Sequence, residues 1–567
     1  MTVRHVFVFR HCVRSPAAEL NLLDANPSAY STNPTDYLSS TASWPDWQTA
    51  PMWCTQGGSE ILYGTGQYLV ESYLPQFGAT QQLRVHFVTD VDPRDVDTAR
   101  DLMQGMATAK RQDANMMNIK GLNDLHYDPD LFSPTKSKWD ADNPFCDEVP
   151  AAERNQYIKS RLGTIPKPGQ VENILAMLEK YGGGVGPVGP LTDLPPTFVN
   201  TNVSDLGGQI NVVEYMAQTA FYAAASNISF WGTSNKVSNS TTISNSNSTM
   251  TKTELFDLLA WNHYRRSVAS VGNNHAALVG GVMMNRVLLS LAGDANLESN
   301  AENDQMVYFF IGHDGDLDNI ATALGLAWEL PPPYRSGKDG VWSPTPPNAG
   351  LHFSYDPNDK ENRLSISVLT PMYFNAEGGE ELALNKTGIL EERPVVFANQ
   401  DSSIKIVDKR TVLSSRDEQK NVLDDVRGRL EETLQTYEGA MECYQKAVAA
   451  STATPQSTPV PAPQGGTSMP SMSHPASYSP VANLPSPTPV HQLFHTDMPS
   501  LKHGPPPRSS SAKGQVFSTW MVFIVMSGGF IYLVRSVRRR RGRHGGGRSA
   551  NYTEMGDVRH DLDLEMT

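Results

Sequence analysis

Three apolar runs punctuate the chain: Val3–Phe9 (VRHVFVF), Leu83–Thr89 (LRVHFVT) and Met306–Ile311 (MVYFFI). Near-continuous runs of this length, rich in β-branched and aromatic residues, suit strands buried on both faces, as in a parallel sheet. Between them the apolar positions recur at helical spacing, predicting helices over 57–74, 170–181, 212–226 and 253–292. A shorter helix, DLDNIATALG, has Asp316 near its start and Gly325 near its C-cap. A long helix is expected over 414–449, with Val422, Val426, Leu430, Leu434, Tyr437 and Met441 on one face. A core-packed closing helix is the favoured reading of that face; a dimerising coil has room for only a short run of heptads, which leaves a homodimer open. Strand–helix alternation predicts an α/β fold: a mostly parallel central sheet flanked by helices. Residues 1–104 and 301–450 would form this core, and 105–300 an inserted, mainly helical cap.

The pattern ends near residue 450. Residues 451–515 are rich in Pro, Ser and Thr and read as an extended stalk, open to O-glycosylation. Val516–Val534 then runs for 19 residues without a charge, ~28 Å as a helix, enough to cross a hydrocarbon core. Arg535, Arg538, Arg539, Arg540, Arg541 and Arg543 follow it. A basic flank marks the cytoplasmic side and suits anionic lipid headgroups. The expectation is a C-terminal single transmembrane helix in a single-pass type I membrane protein. Residues 535–567 form its cytoplasmic tail, and the catalytic domain is lumenal or extracellular (endosomal/lysosomal, vacuolar or cell surface). Five glycosylation sequons agree with that side of the membrane: Asn202, Asn227, Asn239, Asn247 and Asn385. Three of them lie in or beside a Ser/Asn-rich stretch, 233–251, expected to be an exposed loop. The first residues, MTVRHVFVFRH, show no signal peptide. A truncated start is favoured over late targeting by the transmembrane helix. In the tail, Tyr552–Met555 fits a Y-x-x-Φ sorting pattern, which carries little weight alone.

Formal net charge is −14, which argues against nucleic acid as a partner. Four cysteines, Cys12, Cys54, Cys146 and Cys443, permit at most two bridges and three full pairings, none of which the sequence selects.

The chemistry sits where the strands end. After the first comes Arg10-His11-Cys12-Val13-Arg14-Ser15-Pro16; after the second, Asp92-Pro93-Arg94; after the third, Gly312-His313-Asp314. In open α/β sheets ligands bind beyond the carboxyl ends of the strands. Three arginines, two histidines and a carboxylic acid could converge there, and the three arginines plus one histidine would neutralise a phosphoryl group without a metal, because guanidinium forks match phosphate oxygens and stay charged. The N-terminus of the helix after His313 would add its dipole.

These residues carry a resemblance. Arg10–Pro16 resembles the R-H-G-x-R-x-P signature of the histidine acid phosphatases, the branch that includes acid phosphatases and phytases. Gly312-His313-Asp314 matches the distal H-D motif of that family. Thr89–Ala99 is similar to its middle segment S-T-D-V-D-R-T-x-x-S-A, with Pro93 inserted, and Cys54-Thr55-Gln56-Gly57 with Gly64 resembles its L-T-x-x-G…G element. The resemblance implies that His11 is the nucleophile, forming a phosphohistidine. It implies that Arg10, Arg14, Arg94 and His313 bind the phosphoryl oxygens, and that Asp314 protonates the leaving oxygen, with no cofactor and no metal. Hydrolysis of phosphate monoesters would then have an acidic optimum, roughly pH 4–6, if burial raises Asp314 from its free value near 3.9. Cys12 stands where the family has glycine, so the loop is reshaped there; a free thiol among arginines would have a lowered pKa. Arg94, set among Asp90, Asp92, Asp95 and Asp97, could equally be a surface ion-pair residue. Two other readings compete: a catalytically weak, receptor-like membrane protein that keeps the phosphate pocket, and a phosphomutase.

Overall fold

In the computed structural model the three apolar runs become adjacent strands. The structure describes residues 3–16, 45–74, 82–109, 118–134, 146–182, 184–202, 204–228, 250–293, 305–329, 345–374, 387–397 and 402–452. All of these lie in one compact unit, Met1–Pro459. The stretches expected to form a stalk, a transmembrane helix and a tail lie, beyond Thr452, outside the described residues, as do Asn239, Asn247 and Asn385.

The strands are β1 (Arg4–Arg10), β2 (Gln82–Thr89), β3 (Asn118–Lys120), β4 (Leu125–Tyr127), β5 (Phe198–Asn200), β6 (Asp205–Gly207), β7 (Gln305–Gly312), β8 (Leu326–Trp328), β9 (Gly350–Tyr355), β10 (Leu364–Pro371), β11 (Leu390–Phe397), β12 (Ile404–Val407) and β13 (Arg410–Leu413). The helices are α1 (Gln56–Ser72), α2 (Pro93–Ala109), α3 (Pro129–Phe132), α4 (Ala151–Leu162), α5 (Val171–Tyr181), α6 (Gln209–Ala225), α7 (Lys252–Ala269), α8 (Asn274–Ala292), α9 (Asp314–Leu324), α10 (Val422–Leu434) and α11 (Ala440–Thr452).

One 11-stranded sheet runs β12-β13-β10-β9-β1-β7-β2-β3, with β4 also on β2, β11 on β10 and β8 on β11; β5 and β6 form a separate hairpin. This corrects the expectation of a mostly parallel sheet. Pairing is parallel on one side, β1–β7 and β7–β2–β3/β4, and antiparallel from β1–β9 outward. The sheet is therefore mixed, with β1 at the seam. The reason lies in the connections. Tyr355 and Leu364 are joined by a short turn containing Asp356-Pro357-Asn358-Asp359, too short for a crossover helix and rich in turn formers.

Side chains alternate strictly across the central strands. Phe7, Phe9, Val307 and Phe309 face the α1/α2 layer, where Phe309 stacks between Phe7 (4.9 Å) and Phe87 (4.5 Å). Val6, Val8, Tyr308 and Phe310 face a larger cluster that also takes in α8, α9, α10 and the helices of the 105–300 stretch. Both faces are covered, which is why the strands read as continuously apolar.

The 253–292 pattern divides into α7 and α8, where Asn273 caps the second helix by accepting from Ala276 N–H (2.7 Å). The 414–449 pattern also divides. Gly439, at φ +74°, takes the left-handed conformation that ends one helix direction and starts another. Val422, Val426, Leu430 and Leu434 are buried in the core as expected. Among the described residues α8 alone has the length and apolarity to cross a membrane, but it is 72% buried and packs on α9 and α11, as a core helix does.

Candidate active site

The carboxyl ends of β1, β2 and β7 lie side by side, because the three strands pair in parallel register (Arg10 opposite Gly312, Thr89 opposite Ile311). The loops that leave these ends must therefore meet. His11 is fixed at its backbone, donating to Gly312 O (2.8 Å) and accepting from Asn348 N–H (2.9 Å). Gly312 has to be glycine, since a Cβ there would lie 2.3 Å from Asp316 Oδ2 and 2.6 Å from Phe132. Asp316 uses that closeness to accept the His313 backbone N–H (2.6 Å), closing the first turn of α9. The inserted Pro93 is the first residue of α2, a position where its missing N–H costs nothing. It places Arg94 in the first turn, buried and aimed inward rather than on the surface.

All six expected site residues come together. The rings of His11 and His313 have centroids 5.6 Å apart at 73°. Arg94 lies 3.0 Å from His313 Nε2, and Asp92 sits against both, at 2.6 Å from Arg94 and 3.5 Å from His313. Arg10 donates to Tyr222 Oη (2.8 Å) and to the Thr345 carbonyl, and lies 3.3 Å from Asp314. Arg14 reaches across the same tyrosine, its guanidinium carbon 5.4 Å from the ring centroid.

His11 Nδ1 faces the Cys12 carbonyl at 2.8 Å. A carbonyl can only accept, so Nδ1 carries the proton and Nε2 carries the lone pair. Burial, then Arg94, Arg10, Arg14 and His313, hold the His11 pKa well below its ordinary value, which favours the neutral ring. His313 goes the other way. Burial opposes its charge, but Asp95, Asp92 and Asp316 outweigh burial and raise it to about 10. The two histidines are thus driven in opposite directions, His11 toward the neutral ring and His313 toward the charged one.

Asp314 departs from expectation. Burial does push its carboxyl up, but Arg10, Arg266, His313 and Arg14 together hold it well below the usual range. With the pocket empty it is an anion, not an acid. Arg266, from α7, bridges Asp314 and Asp318, while its neighbour Arg265 pairs with Asp205 and Glu214.

Asp90, Asp92, Asp95 and His313 offer donor atoms within 4.8 Å of one another. The charges they neutralise are the Arg94 guanidinium and the His313 imidazolium, so we assign these carboxylates to holding cations in place.

Sequence reasoning missed Arg266, Tyr222 and the acidic partners of His313. The signal for Arg266 was its place on the apolar stripe of α7, in line with Leu255, Leu259 and Asn262; a charge there needs a buried partner. The four cysteines pair as Cys12–Cys54 and Cys146–Cys443, so Cys12 is not a free thiol.

An α/β sheet that gathers three arginines, a cationic histidine and a neutral histidine at its strand ends defines a phosphate-handling protein. Residues 3–350 match the model of the histidine phosphatase superfamily, branch 2, and the chain belongs to that family of hydrolases. The fold is shared with solved structures. Phytase from Hafnia alvei in its apo form superposes with a TM-score of 0.51 at 16% identity, over 77% of this chain and 97% of that one. Phytase from Citrobacter braakii gives 0.50 at 17%, over 78% and 99%. No curated protein sequence matches.

Proposed function

We propose that the chain hydrolyses phosphate monoesters through a phosphohistidine on His11, at acidic pH. The observation that carries this is the geometry of the site: His11 Nδ1 is taken by the Cys12 carbonyl, so Nε2 carries the lone pair, and Arg10, Arg14, Arg94 and His313 gather around it. Nucleophilic attack by Nε2 on phosphorus splits the displacement into two easier steps. Arg10, Arg14, Arg94 and His313 stabilise the charge spread over the phosphoryl oxygens, which is most of what phosphoryl transfer requires.

Asp314 donates the proton to the leaving oxygen. Being ionised when the pocket is empty, it needs the substrate to become an acid. A phosphate group in the pocket engages Arg10 and Arg14 and adds negative charge beside Asp314, and both effects raise its pKa. A phosphomonoester has its second pKa near ~6, so below that pH the ester also brings a proton in. An optimum of roughly pH 4–6 follows.

We also propose that this domain works outside the cytoplasm, tethered by Val516–Val534. All four cysteines are paired, which suits an oxidising compartment. Asn202 and Asn227 are exposed in turns, where a glycan can be accommodated.

The deciding experiment is hydrolysis by purified protein at pH 5. The panel includes p-nitrophenyl phosphate, inositol hexakisphosphate, a sugar phosphate, a phosphopeptide and lysophosphatidate, with His11→Ala as control. Turnover by wild type and loss of about a thousandfold or more in the variant is expected. Phosphate binding without turnover would favour the receptor-like reading, and full activity in His11→Ala would remove the mechanism.

A further inference from the structure

The loop that carries His11 is cross-linked one residue away from it. Cys12 and Cys54 form a disulfide with Cα atoms 5.7 Å apart, at the position where the resembling enzymes have glycine. Three segments of the site meet on this pair. The first is the nucleophile itself, whose Nδ1–H donates to the Cys12 carbonyl (2.8 Å). The second is the start of α2. The Cys12 N–H donates to Thr98 Oγ1 (2.8 Å), the Thr98 hydroxyl donates to the Arg94 carbonyl (2.6 Å), and both sulfurs lie against that carbonyl, at 3.9 and 3.5 Å. The third is the lead into α1. Cys54 forms a bridge with Arg14, and Thr55, the next residue, donates its N–H to the Val13 carbonyl (2.9 Å) and caps α1 through Gly58 N–H (3.1 Å).

The peptide plane that follows Cys12 is therefore held through both the backbone and the side chain. Its carbonyl selects the protonated nitrogen of His11 and sets the direction in which Nε2 points. The phosphate-binding Arg94 and Arg14 are anchored to the same pair of sulfurs or the residues beside them. We infer that the Cys12–Cys54 cross-link is a positioning element of the reaction, fixing the tautomer and aim of the nucleophile in place of the compact glycine turn. The inference rests on the reading of His11 as nucleophile. A cross-link acting only as a staple would change stability and leave the chemistry alone, so the two roles separate by measurement.

The test compares two double variants of the full chain, Cys12→Ala/Cys54→Ala and Cys146→Ala/Cys443→Ala. The readouts are kcat and KM for p-nitrophenyl phosphate, melting temperature, and the ¹⁵N imidazole spectrum of His11. For the first variant kcat falls about 10- to 100-fold, the scale expected when a reacting group is displaced by about 1 Å. KM changes little, and the Nδ1–H signature of His11 is lost or averaged. For the second variant only the melting temperature falls. A first variant with kcat within twofold of wild type and an unaltered His11 spectrum overturns the inference, whatever its melting temperature. If the alanine pair fails to fold, Cys12→Ser/Cys54→Ser removes the cross-link with little change in side-chain size and is read in the same way. Should wild type hydrolyse nothing, the phosphatase reading falls, yet the His11 spectrum still decides whether the cross-link sets the tautomer.

Discussion

Arg266 links the 105–300 stretch to Asp314, the proposed proton donor, and its removal has a predictable sign. Its guanidinium is shared between Asp314 and Asp318, all three with largely buried side chains. Other charges facing Asp314 are Arg10 and Arg14 from β1 and its loop, His313 beside it, Arg265 from α7 and Glu214 from α6. Two unit charges ~4 Å apart interact by about 4 kcal/mol at an effective dielectric of 20, and 1.36 kcal/mol corresponds to one pH unit. Arg10 stays in place and water reaches the site, so Arg266→Gln should move the alkaline limb of kcat upward by about one to two pH units. Asp318→Asn should move it the opposite way, because Arg266 then serves Asp314 alone and a neighbouring negative charge is gone. This second change is nearly isosteric and guards against loss of fold. The assay is kcat from pH 3 to 9 with glycerol phosphate, whose alkoxide must be protonated. Parallel runs use p-nitrophenyl phosphate, which leaves readily as an anion and should show a much smaller displacement. Limbs that stay put in both variants, or move in the same direction, would refute Asp314 as the donor controlled by Arg266.

Two further outcomes concern stability. Burial holds His86, His263 and His275 neutral, each lowered to about 4, against ~6.5 when unfolded. The unfolded chain therefore takes up protons first. Stability is full above about pH 6.5 and drains as pH falls toward 4, by up to roughly 3 kcal/mol for His86. Thermal midpoints should drop from pH 7 to 4.5, and His86→Leu should flatten that slope; an unchanged slope would contradict this account. Phe309→Ala, which empties the stack between Phe7 and Phe87, should cost about 3–5 kcal/mol in urea unfolding, and a loss under 1 kcal/mol would mean that the stack is not central.

What the amino-acid pattern disclosed follows from what repeats and what does not. The strands carrying Phe7, Phe87 and Phe309 were legible because burial on both faces leaves an unbroken apolar run. The six expected site residues were legible because each lies within about five residues of the end of such a run. The antiparallel half was not foreseen, since Leu351 and Val368 sit in runs that look alike whichever way their neighbours point. Turn chemistry at Asp356–Asp359 held the only clue. Charge states were beyond reach for a different reason. Asp314 and His313 are adjacent in sequence, yet one is driven down and the other up by partners as distant as Arg266 and Asp95. A free-residue pKa plus generic burial gave the wrong direction for Asp314, because four cations outvote desolvation. Cys12 was read as a perturbation of the loop, while its partner Cys54 lay in plain view beside the α1 cap.

The seam position of β1 also has a temporal side. Its hydrogen-bonding neighbours, β7 and β9, begin about 300 and 350 residues further along. At ~5–20 residues per second of synthesis, an apolar amino-terminal ribbon must wait roughly 15–60 s for the first of them to emerge. During that interval VFVF is an unpaired, aggregation-prone edge. Biogenesis of this enzyme should therefore depend on chaperones that shield the β1 segment, which leads directly into the proposed phosphate site.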